Sequence, residues 1–118
     1  MVYLFRIGGG RIENLRLKTQ ERNMIPPGIS VLEEESAAAA AGQMRAAFPD
    51  AARLHESTRV VGSATREAVR AAGFDVLPDP TRRFPNHHRI NHPAGVAGFD
   101  DASLERLAIA FTDVTLED

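Results

Sequence analysis

The stretch Asn86-His87-His88-Arg89-Ile90-Asn91-His92-Pro93 holds three of the chain's four histidines, an arginine and two asparagines. Imidazoles exchange protons near neutral pH and ligate metals, and a guanidinium grips anions. If the stretch is extended, alternation puts His87, Arg89 and Asn91 on one face and His88, Ile90 and His92 on the other. Three readings follow. A ligand site would use His87 or His88 as a hydrogen-bond partner for ribose or phosphate, with Arg89 as countercharge and Asn91 beside it. A metal-assisted nuclease would use His87, His88 and His92. However, the His88–His92 spacing suits a helix, and no carboxylate completes the ligand set. A polar edge strand would leave the histidines satisfied by backbone. His55 stands apart and adds nothing to any of these.

Two other segments offer polar groups on stiff backbone. Arg6 lies in the apolar run Tyr3-Leu4-Phe5-Arg6-Ile7, sharing a face with Leu4 and opposing Phe5 and Ile7. A strand-held guanidinium can clasp a diphosphate through two parallel hydrogen bonds. The same arginine can also serve as a charge that guards a strand edge. Ser30 follows the rigid turn Pro26-Pro27-Gly28 and opposes Ile29 and Val31. It can position a sugar hydroxyl or simply face solvent. It lacks the Gly-x-Ser-x-Gly elbow of a nucleophilic serine.

The elements that must hold these groups can be traced along the chain. Strands are expected at Val2–Ile7, Ile29–Leu32, Thr58–Ser63, Phe74–Leu77 and within Phe84–His92. A helix is expected from Glu33 to Phe48, with Glu33, Glu34 and Glu35 in its first turn and five alanines after them. Such a thin helix can pack close to a sheet. Thr65 can cap a short helix closed by Gly73, and Asp100 or Asp101 can cap a last one. In that last helix Leu104, Leu107, Ala108 and Phe111 define a buried side. Arg11 to Met24 reads as an ordered but irregular excursion, since Ile12, Leu15 and Leu17 give it something to bury. Its basic part from Arg11 to Arg22 is open to three readings: a lid over a ligand, a partner surface or, by default, a solvated loop. Residues 113–117 read as a final strand or a frayed tail. The order strand, strand, helix, strand, helix, strand, strand, helix argues for α+β with small mixed or antiparallel sheets and two or three helices.

With 118 residues the chain is expected to form a single domain, residues 1–118. It has no cysteine, so disulfides and thiolate metal sites are excluded. A net charge of −2 gives no overall pull toward nucleic acid. No apolar run reaches membrane-spanning length. The amino end lacks a basic n-region, so a cytoplasmic protein is expected, exported if at all without a cleaved signal.

Taken in order, these segments resemble ADP-ribosyltransferase-like toxins, the compact type VI secretion effectors and RES-domain toxins among them. Tyr3-Leu4-Phe5-Arg6-Ile7 resembles their opening strand. Pro27-Gly28-Ile29-Ser30-Val31-Leu32 with the alanine-rich helix resembles the next pair of elements. His87-His88-Arg89-Ile90 resembles a late strand. The resemblance implies two small sheets meeting at a cleft for the nicotinamide dinucleotide NAD. It maps Arg6 to the cofactor-gripping arginine, Ser30 to the second-strand serine and His87 and His88 to the late strand. It further implies an antitoxin or immunity partner. The late strand lacks the glutamate usual in such transferases, and Glu117 would serve if the tail formed a last strand. A non-catalytic binding or immunity module of the same fold is the alternative.

Overall fold

The computed structural model describes residues 1–50, 56 and 58–116. Six strands form one sheet: β1 (Tyr3–Ile7), β2 (Gly28–Glu34), β3 (Val60–Ala64), β4 (Asp75–Pro78), β5 (His87–Asn91) and β6 (Thr112–Thr115). Their order is β4-β5-β2-β1-β3-β6, and every neighbouring pair is antiparallel. Five α-helices occur among the described residues: α1 (Ile12–Leu15), α2 (Thr19–Arg22), α3 (Ala37–Ala47), α4 (Arg66–Ala71) and α5 (Asp101–Ala110). The architecture is α+β, as the order of elements predicts. Where two sheets were expected there is one, and two of the helices are single turns in the segment read as an irregular excursion.

Alternation along the strands gives the sheet two buried faces. Leu4, Ile29, Val31, Ala64, Val76 and Ile90 point to one, which α1, α4 and α5 close with Leu15, Val69, Leu104 and Leu107. Phe5 and Val61 point to the other, against Ala37, Ala40 and Ala41 of α3. These alanines sit at i, i+3 and i+4, so the helix presents a flat, methyl-only stripe to the sheet.

Helix α3 starts later than its glutamates suggest. Glu33 and Glu34 belong to β2, paired with Leu4 and Tyr3. The helix begins after Ser36, whose side chain accepts a hydrogen bond from the Ala39 N–H at 3.1 Å. A serine cap and an added pair of strand residues outweigh the attraction between acidic side chains and a helix start. The other caps are where they were expected: Thr65 accepts from Ala68 N–H and Asp100 from Ser103 N–H. Gly73 takes φ +95° after α4. Residues 112–115 form a strand on β3, while Glu117 lies outside the described residues, as does His55.

Candidate functional site

The site grows from a seam in the sheet. β1 and β2 pair from Tyr3–Glu34 to Phe5–Leu32 and then part. Beyond that point β1 stays with β3, and β2 stays with β5. The freed backbone of Ser30 must find other partners in a buried place. Two side chains supply them. Glu21 Oε2 accepts from the Ser30 N–H at 2.7 Å, and Arg6 Nη1 donates to the Ser30 carbonyl at 3.0 Å. Arg6 also donates from Nη1 to Glu21 Oε2 at 2.6 Å and from Nη2 to Glu21 Oε1 at 3.2 Å. Its Nε and Nη2 donate to the Asn14 carbonyl at 3.0 and 2.8 Å. A guanidinium has five N–H donors, and these contacts occupy all of them.

Glu21 is the counterpart that the sequence did not announce. It lies on α2, is buried, and accepts a further hydrogen bond from the Lys18 N–H at 3.0 Å. Burial alone would raise its pKa. The hydrogen bond and charge of Arg6, then the Ser30 and Lys18 N–H groups, outweigh burial and hold the carboxyl below its usual range. Asn14 fastens the preceding turn, donating from Nδ2 to the carbonyls of Ile7 and Gly9.

Beside this seam, on the α3 face, lies a cavity of about 570 Å³, within the range of small-molecule sites. Phe5, Ile7, Ser30 and Leu32 floor it, Met44 and Phe48 wall it from the α3 side, and Thr81 and Phe84 come from the loop before β5. Arg6, Asn14, Lys18, Glu21 and His87 give it a polar side. The Phe48 and Phe84 rings stand 6.4 Å apart at 39°, and Arg83 lies 4.8 Å over the Phe48 ring. The loop is tied to α3 by a reciprocal amide pair, Gln43 with Asn86, at 2.9 Å in both directions.

Arg6, Ser30 and His87 therefore meet at one cavity, although Arg6 reaches it with its donors already engaged. The Ser30 main chain is held by the seam, and its side chain lies on the sheet face shared with Leu32 and Phe5. His87 Nδ1 lies 2.9 Å from the Asp79 carbonyl and 3.3 Å from the Asp79 carboxylate. A carbonyl only accepts, so Nδ1 carries the proton and a neutral ring keeps its lone pair at Nε2.

The other predicted residues are dispersed. His88 faces the opposite side of the sheet from His87. Its Nδ1 contacts the Asn86 carbonyl, and its Nε2 lies near Arg66, which is paired with Glu33. Arg89 shares the His87 face but is held by Asp79 and by the Pro26 carbonyl, away from the cavity. Asn91 lies at the far end of β5, opposite Gly28, with its Oδ1 buried and unpartnered. His92 accepts from the Ala94 N–H and packs edge-on against Phe74, its ring centroid 5.1 Å away. Among the described residues no group of three or more His, Asp or Glu side chains has the arrangement of a metal site, so the three histidines of the nuclease reading do not converge. Glu21, Lys18, Phe48 and Phe84 went unnoticed in sequence. Glu21 carries no sequence signal either, because the residue three before it is Lys18, which is not one of the side chains that mark a helix start.

No protein-family model, no curated protein and no solved structure matches this chain.

Proposed function

We propose that this chain is a small toxin of the ADP-ribosyltransferase-like kind that receives NAD in the cavity beneath α3. It breaks the nicotinamide–ribose bond, transferring ADP-ribose to a target or to water. The observation that carries this reading is the meeting of Arg6, Ser30 and His87, from three separate segments, at one cavity of about 570 Å³. Phe48 and Phe84 line the cavity and give it apolar surface suited to the flat nicotinamide ring. The Ser30 side chain suits a ribose hydroxyl.

In the bond-breaking step nicotinamide leaves with the electron pair of the C–N bond. The ribose carbon passes through an oxocarbenium-like state and is captured by the nucleophile oxygen, whose proton goes to His87 Nε2. Arg6 acts as a positioning residue. Its guanidinium holds the Ser30 backbone in place instead of gripping the diphosphate. Such a chain requires an immunity partner in the cell that makes it.

Titration of the purified protein with NAD, followed by product analysis, tests the reading. The expected result is saturable binding and release of free nicotinamide. His87→Gln should keep binding and lower release about a hundredfold. Binding without release would support the alternative, a non-catalytic module of the same fold. That alternative draws on one observation: the carboxylate in the cavity wall, Glu21, is already spent on Arg6, Ser30 and Lys18. Neither binding nor release would overturn both.

A further inference from the structure

We infer that Lys18, and not Arg6, holds the anionic group of the ligand in this cavity. The inference deepens the dinucleotide reading and rests on it for the identity of the ligand.

A diphosphate entering the cavity needs a cation with donors to spare. Arg6 has none, because Glu21, Ser30 and Asn14 take all its N–H groups. Arg89 is turned to Asp79 and to the Pro26 carbonyl, outside the cavity lining. Arg83 covers the Phe48 ring. Lys18 lines the cavity, and its ammonium makes one long hydrogen bond, 3.4 Å to Asn14 Oδ1. An ammonium has three N–H donors, so donors remain for a phosphate oxygen.

The backbone under it is fixed. The Lys18 N–H donates to Glu21 Oε1, which ties the residue to the seam and so to Ser30. A cation on a flexible stem thus stands on an anchored base. Desolvation and the nearby Arg6 charge lower the Lys18 pKa, with Glu21 opposing them, and an arriving anion favours the charged ammonium.

Calorimetric titration of the full chain with NAD, at low and at high potassium chloride, tests this. Lys18→Gln should weaken binding at low salt about tenfold or more, and should flatten the salt dependence that the wild type shows. Lys18→Arg should restore most of the affinity. Equal affinity and equal salt dependence for wild type and Lys18→Gln would overturn the inference. If the wild type binds no NAD, the dinucleotide reading fails, and the same proteins are titrated with inorganic pyrophosphate. Pyrophosphate binding that is weakened in Lys18→Gln supports the anion seat, and binding that is equal or absent in both proteins overturns it. Circular dichroism of Lys18→Gln, whose side chain packs in no core, checks that the fold is kept.

Discussion

Arg6 and Glu21 form a buried ion pair that also completes a sheet. Side chains of this kind are costly to desolvate, and removing one partner strands the other. Arg6→Met or Glu21→Gln is therefore expected to cost about 3–5 kcal/mol, read by urea unfolding. The double change should recover part of that loss only, because Ser30 and Asn14 would keep unpaired main-chain groups. The pair also sets a pH response. Glu21 is held below its ordinary pKa, so its contribution is present above the unfolded value of about 4.3 and is lost as pH falls through the lower, folded value. Wild-type stability should decline with acidification in that window, and Glu21→Gln should show a shallower slope. An equal slope in the two proteins would mean that the carboxylate is not the group titrating.

Single residues also decide how the elements pack. A Cβ built on Gly62 in β3 would stand 2.6 Å from the Gly10 nitrogen and 2.9 Å from the Gly9 carbonyl carbon. Both are backbone atoms that cannot swing aside. Gly62→Ala should therefore destabilise by about 1–3 kcal/mol in a thermal or urea melt. Replacing Asp100 with alanine should lower the melting temperature read by circular dichroism, because the Ser103 N–H loses its acceptor at the start of α5. What the sequence disclosed follows the range of the interaction involved. Caps such as Thr65 and Asp100, the Gly73 stop and the period-2 strands are local, and all of them could be read. The start of α3 departs from the local signal because Glu33 and Glu34 answer to pairing with Leu4 and Tyr3 of β1, which are distant in the chain. Arg6 was legible as an unusual strand arginine. Its partner was not, since Glu21 meets it only after two single-turn helices fold back over the seam. Phe48 and Phe84 join the cavity through the Gln43–Asn86 tie, and no sequence pattern marks a contact of that kind.

At the scale of the molecule, the two faces of the sheet have different work. One is closed by α1, α4 and α5 around Leu4, Val31, Ile90 and Leu107. The other is covered in part by α3, and the cavity lies beside the end of that helix. The cavity walls come from the start, the middle and the later part of the chain. Two devices fasten them, the Arg6–Glu21 pair on one side and the Gln43–Asn86 pair on the other. A ligand in that space touches α2, the end of α3 and the loop before β5 at once, so it should link their opening motions while leaving the closed face alone. Amide hydrogen exchange with saturating NAD is expected to slow in residues 18–24, 44–48 and 81–87. The edge strands β4 and β6, and helix α5, should exchange as they do without ligand. Protection centred on α5 instead would put the binding place on the wrong side of the sheet and with it remove the case for Ser30 and His87.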